Sequence, residues 1–256
     1  MNNGQTQTFA GGLLEGFGTY SERVPEYRLA VEKAFHHGLF RTNTPVLDLG
    51  CGADPYEGLL KFLREFCWEG HYVGVDKSFD RNAELNEEDD SKCTLVTMDF
   101  DADTDLPFPP SPEHPFKQFA TGFLLEVADK LENKDAIIEQ LKWTCASVVV
   151  VGPNDAFTGW RPTDRHRLGP ISDGWLLEHG FQERGCMNLN GRKNATSQLY
   201  ASDRPELCSE VWGVWCDERA AYLNRNRDAK GYKLAFEDGD ISRTPLTAEE
   251  MEARDG

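Results

Sequence analysis

Apolar residues recur at intervals of three and four over residues 20–39. Val24, Tyr27, Val31, Ala34 and Phe35 share one face, the period of a helix with a single buried side. The run Pro45-Val-Leu-Asp-Leu ends at Gly50, and residues 56–66 return to helical spacing through Leu59, Leu60, Leu63 and Phe66. This order predicts a strand, a glycine turn and a helix. Tyr72-Val-Gly-Val, Thr94-Leu-Val-Thr-Met and a run within 116–125 predict three more strands, with the proline-rich loop 106–115 between the last two. Ala136, Ile137, Leu141 and Cys145 then keep helical register. Ser147-Val-Val-Val-Val follows, a continuous β-branched run of the kind a parallel strand covered on both faces requires. Alternating strands and helices predict an α/β sheet with right-handed crossovers, whose ligands lie beyond the carboxyl ends of its strands.

The last third of the chain is less regular. Residues 172–179 read as a short helix closed by Gly180, and Phe181 opens the next strand. Over 205–225, Leu207, Val211, Trp212, Trp215 and Tyr222 fall on roughly one stripe, which predicts a packing helix and makes the two tryptophans core rather than a substrate cage. Tyr232, Leu234 and Phe236 alternate with Lys233 and Ala235 as in a final strand, a role for which Gln198-Leu-Tyr-Ala competes. Polar ends, 1–8 and the acid-rich 238–256, are expected to be flexible and to flank one domain over 9–237.

Composition narrows the function. The chain has 256 residues, and 44 Asp plus Glu against 27 Lys plus Arg give a formal net charge of -17. Such a field repels polyphosphate, so nucleic acid is a disfavoured partner; an acid-rich surface of halophilic type explains the same excess. There is no long apolar run and no leader-like start, so the expectation is a cytoplasmic protein without membrane attachment. Seven cysteines without a C-x-x-C pair argue against a disulfide framework and against a structural zinc site, and no metal is implied.

The chemistry concentrates after the first strand. Asp48-Leu-Gly50-Cys51-Gly52 places an acid at a strand end and two glycines in the turn behind it, where a ligand can approach the backbone closely. A dinucleotide site wants a third glycine before the helix, and here Ala53, Asp54 and Pro55 stand there. An acid beside the loop suits a cationic ligand instead.

Asp48-x-Gly50-x-Gly52 resembles the first motif of class I S-adenosylmethionine-dependent methyltransferases. Asp76, closing Val73-Gly-Val-Asp, is similar to the acid with which that family holds the ribose hydroxyls, and Lys77 follows it. Asp99-Phe100, after the third strand, resembles the pair that meets the adenine amino group and face. Leu124-Leu-Glu126-Val is similar to the segment after the fourth strand, with Val127 where a histidine often stands. The resemblance implies a Rossmann-like, doubly wound, mostly parallel seven-stranded sheet with helices on both faces. It also implies S-adenosyl-L-methionine as cofactor, held by Asp48, Gly50, Cys51, Gly52, Asp76, Lys77, Asp99 and Phe100.

On the acceptor side, the loop after the fifth strand carries Arg161, Arg165, His166 and Arg167. His166 is the candidate base for a hydroxyl acceptor, the alternative being a surface histidine hydrogen-bonded to Asp164 or to backbone. The three arginines reverse the local charge and suit an anionic small molecule or glycan, or else pair with the chain's own acids. Tyr20, from the leading helix, is a further substrate-side candidate. Two other readings remain open: a cofactor-binding subunit without transfer activity, and a nucleotide-dependent oxidoreductase.

Overall fold

The computed structural model describes residues 20–36, 43–65, 67–78, 92–100, 102, 106, 117–157, 171–188, 198–200, 205–218, 232–237 and 240–245. Helix α1 (Tyr20–His36) leads, and β1 (Val46–Leu49) runs into the glycine turn. A 3₁₀ turn over Pro55–Glu57 follows, capped by Asp54, whose Oδ1 accepts from the Tyr56 amide at 3.0 Å, and it passes into α2 (Leu59–Glu65). Then come β2 (Tyr72–Asp76), β3 (Cys93–Thr97), β4 (Phe119–Leu125), α3 (Lys134–Thr144) and β5 (Cys145–Pro153). After these lie α4 (Asp173–Glu178), β6 (Glu183–Asn188), β7 (Gln198–Tyr200), β8 (Glu210–Cys216), β9 (Tyr232–Glu237) and β10 (Asp240–Pro245).

The main sheet has the order β3-β2-β1-β4-β5-β8-β6-β7. Strands β1 to β5 pair in parallel; β8 enters antiparallel between β5 and β6. Six of the expected strands are β1–β6; the expected final strand at 232–236 forms β9 outside this sheet, its place is taken by β8, and the three-residue β7, over the competing run at 198–200, extends the edge. The chain reverses direction across the sheet at β1, so the crevice at the carboxyl ends opens between β1 and β4.

Alternation along the central strands sends side chains to two cores. Leu47, Leu49, Val73, Val75, Val148 and Val150 pack on one face with α3 and α4. On the other, Val46, Tyr72, Phe123, Val149 and Val151 meet α1 and α2. The stripe foreseen for α1 is buried at Tyr27, Val31 and Ala34, and Lys33 ties this helix to Glu183 and lies 4.3 Å over the Trp212 ring.

Three expectations are corrected. The packing helix expected over 205–225 is not there in its described part, 205–218: a 3₁₀ turn over Pro205–Leu207 precedes strand β8. Both faces of β8 are covered, so it lacks the alternation that marks an exposed strand, and its tryptophans mimic a helical stripe. Trp212 remains a core residue, 6% exposed. Next, the tail expected to be flexible contains β10, which pairs antiparallel with β9 as a hairpin outside the main sheet. Such pairing uses backbone groups and needs no apolar run. Finally, the cysteines are not all free thiols: Cys186 on β6 and Cys208 before β8 form a disulfide. Their segments are neighbours in the sheet, a proximity that sequence spacing does not reveal.

Candidate cofactor site

The site begins where β1 runs out. Gly50 has φ +74° and Gly52 φ +84°, left-handed values that favour glycine. The two positions differ in their surroundings. A Cβ on Gly50 would lie 2.2 Å from Cγ2 of Val127, because the turn after β4 is pressed against the turn after β1. One on Gly52 would meet nothing within 4 Å among the described residues, so the second glycine borders open space there. The Gly50 amide donates to the Val75 carbonyl at 2.7 Å, which holds the loop to β2.

Asp76, at the end of β2, laces the turn. Its Oδ2 accepts the Gly52 amide at 2.9 Å, and its Oδ1 accepts the Ser78 amide at 2.9 Å and the Ser78 hydroxyl at 2.5 Å. Ionised carboxylates offer about four lone-pair directions, so roughly one is left for a further donor unless Ser78 Oγ swings away. Lys77 lies 3.9 Å from Asp99, across the gap between the ends of β2 and β3. Phe100 is buried in the core, and its carbonyl accepts from Asn133 Nδ2 at 2.6 Å.

Asp48 does not face the open space. It is buried on the α1 side of the sheet, and its Oδ2 accepts the Tyr72 hydroxyl at 2.6 Å. Burial pushes its pKa up to about 7, against the Tyr72 hydrogen bond and helped by the negative charge of Asp76. Cys51 is also carried well above the ordinary thiol range, by burial first and then by Asp48 and Asp76, which makes it a packing residue rather than a nucleophile.

The structure thus brings Asp48, Gly50, Cys51, Gly52 and Asp76 into one constellation, with Lys77 and Asp99 beside it. The Tyr20 backbone opens α1, and its side chain lies outside the described residues. So do Arg161, Arg165, His166 and Arg167, and residues 1–8.

Sequence reasoning singled out the segment of Glu126 after β4 but passed over the charged residues of α1 that meet it. Arg23 and Glu26 continue the buried stripe of Tyr27, Ala30 and Ala34 one turn earlier. That is the signal: two charged residues in register with apolar ones. Glu26 is 1% exposed, and burial raises its pKa to about 8, opposed by Arg23 and reinforced by Glu126. Glu126 has φ +58°, directly after β4, and its carbonyl accepts from Lys130 Nζ at 2.6 Å.

No family model matches the chain, and no curated protein matches its sequence. Solved structures do match. One chain of a Haloferax volcanii complex, between the Trm112 methyltransferase activator and a protein described as a candidate methyltransferase, superposes with a TM-score of 0.50. It is 15% identical, over 78% of this chain and 98% of its own. The fold is that of class I S-adenosylmethionine-dependent methyltransferases. Two more distant members of the same fold are an S-adenosylmethionine-dependent methyltransferase of Aquifex aeolicus and the human N-acetylserotonin methyltransferase. The Aquifex protein gives TM-score 0.44 and 15% identity over 77% of this chain and 99% of that one. The human protein gives TM-score 0.44 and 14% identity over 76% of this chain and 56% of that one. In this methyltransferase fold, the turn at Gly50–Gly52 and the acid at Asp76 stand at the carboxyl ends of adjacent parallel strands, beside the switch point of the sheet.

Proposed function

We propose that the chain is an S-adenosylmethionine-dependent methyltransferase acting on a small molecule or glycan. The observation that carries this reading is the glycine turn laced to Asp76, with open space beyond Gly52. The space admits a ligand against the backbone, and Asp76 and Asp99 supply acceptors for hydroxyl and amino groups beyond the strand ends. Lys77, paired with Asp99, shields that second acid until a ligand arrives. When bound, S-adenosylmethionine supplies an electrophilic methyl group on a positively charged sulfur. The protein's part is to hold donor and acceptor in line and to exclude water, an effect that supplies several kcal/mol without a covalent intermediate. On the acceptor side, Arg161, Arg165 and Arg167 bind an anionic group, and His166 takes the proton when the nucleophile is a hydroxyl.

The test is direct. Calorimetric titration with S-adenosylmethionine, S-adenosylhomocysteine and NAD should give binding of the first two only. Incubation with methyl-labelled S-adenosylmethionine and a metabolite extract should then label a small molecule. NAD binding without S-adenosylmethionine binding would sink the assignment, and cofactor binding with no labelled product would leave a cofactor-binding subunit. Changing Arg165 and Arg167 singly to Gln should weaken acceptor affinity and spare cofactor affinity.

A further inference from the structure

Acids from three elements meet where β1 and β4 end beneath α1, and two of them hold an oxygen with no hydrogen-bond partner among the described residues. Among these, Glu26 Oε1 is buried and accepts no hydrogen bond, and the same holds for Oε1 of Glu126. Buried acceptors without donors are rare in folded proteins, because each costs the desolvation of the group. The titratable groups that face Glu26 are Arg23 and Tyr27 on its own helix, Asp48 on β1, Glu126 after β4 and Lys130 in the 3₁₀ turn beyond it. Beyond these, α1 packs on apolar side chains, Leu60 and Leu63 on α2 and Val149 and Val151 on β5, and its Lys33 pairs with Glu183 on β6. Three carboxyl groups therefore share two cations. Gly50, Val127 and Glu126 join this cluster to the glycine turn, since Val127 packs on Gly50 and Glu126 is its chain neighbour.

We propose that Glu26, with Glu126 beside it, is the group by which this chain prefers the positively charged S-adenosylmethionine to its neutral product S-adenosylhomocysteine. The proposal rests on the methyltransferase reading. The two molecules differ only in the methyl group that places a positive charge on sulfur. A feature that separates them must therefore respond to that charge or to that methyl. A buried carboxylate responds to charge, and poorly screened: at an effective dielectric of about 20, a carboxylate roughly 10 Å from a cation favours it by about tenfold. The consequence is product release, since the attraction disappears once the methyl group has left.

The same burial predicts a pH dependence. Glu26 holds its proton up to about pH 8 in the free protein, so a cation must displace that proton to gain a carboxylate partner. Preference for S-adenosylmethionine over S-adenosylhomocysteine therefore rises with pH up to about 8 and is level above it. Asp48, with its pKa near 7, adds to the lower part of that window.

Calorimetric titrations of wild type, Glu26→Gln and Glu126→Gln with each ligand from about pH 6 to 9, in two buffers of different ionisation enthalpy, test the proposal. Wild type should gain about tenfold in the affinity ratio across that range and release a proton on binding S-adenosylmethionine. Glu26→Gln should show a flat ratio and little proton release, with S-adenosylhomocysteine affinity changed by less than about threefold. Gln has the shape of the protonated acid, and melting of the ligand-free variant checks the fold; should Glu26→Gln not fold, Glu126→Gln, which removes a charge that raises the Glu26 pKa, should move the rise in the ratio to lower pH. Equal ratios in wild type and the folded variants at every pH overturn the proposal and leave the methyltransferase reading standing. Failure of wild type to bind either ligand overturns both.

Discussion

Residue by residue, the glycine turn separates two requirements that a motif joins. At Gly50 the backbone is left-handed and the space is filled by Val127; at Gly52 the backbone is left-handed and the space is open. Gly50→Ala should therefore cost about 2–4 kcal/mol, strain plus a clash that pushes the two turns apart. Gly52→Ala should cost only about 1–2 kcal/mol, the left-handed term alone, yet weaken S-adenosylmethionine binding because the new methyl group enters the ligand's space. Thermal melts with and without ligand separate the two: a large loss of stability for the first, a loss of ligand-induced stabilisation for the second. The reverse pattern would show that the open space is not where the ligand lies. Asp48 illustrates the limit of motif reading. Its strand position was legible, but the fold turns its side chain under α1 to Tyr72, a direction set by strand register and invisible without it.

Among the elements, legibility follows how the signal is made. Strands β1, β2, β4 and β5 and helix α1 were read because their burial is periodic or continuous and their ends carry glycine or turn residues. Strand β8 carries the pattern of a helix because it is covered on both faces, so Val211, Trp212 and Trp215 fit two periods equally well. Gly213 is the discriminating residue, since a Cβ there would lie 2.8 Å from Leu176 Cδ2 and 3.0 Å from Phe181 Cδ1, so that side chains packed on this strand would have to shift. Gly213→Ala should lower stability by about 1–3 kcal/mol through overpacking. Had 205–225 been a helix, the same change would have stabilised it by about 1 kcal/mol. The sign of the shift in a denaturant melt decides between them. The disulfide has no local signal at all. Cys186 and Cys208 are 22 residues apart and are joined only by the order β8-β6 in the sheet. Cys208→Ser should cost about 2–4 kcal/mol under oxidising conditions and much less after reduction of the wild type. Equal stability of the oxidised wild type and the variant would remove the bond from the account.

At the scale of the whole molecule, charge outside and charge inside act in the same direction with different sensitivity to salt. The formal net charge of -17 makes the surface repel itself at neutral pH, and lowering the pH relieves this. Asp48 and Glu26 are buried acids whose folded pKa values, about 7 and about 8, lie above their ordinary 3.8 and 4.5. Between those limits the folded state binds more protons than the unfolded one, so stability falls as pH rises. The buried contribution is complete below about pH 4 and is lost progressively up to about pH 8. Salt discriminates, because at molar concentration it screens exposed charges beyond about 3 Å and reaches buried groups far less. Melting temperature should fall from pH 5 to pH 8 in dilute buffer, and a reduced fall should survive in molar salt. That residue belongs to the two acids: Asp48→Asn with Glu26→Gln should abolish it, raising stability at pH 8 by on the order of 2 kcal/mol for each acid made neutral. Asn at position 48 still offers an oxygen to the Tyr72 hydroxyl, so the hydrogen bond is kept while the charge is removed. A slope that vanishes in salt in the wild type would assign the whole effect to the surface. A slope that persists in the double variant would place it on other groups. Either result would remove the buried acids from the account of stability, whereas a flattened slope together with a lost preference for S-adenosylmethionine would show that the strain they impose on the fold at neutral pH serves the site.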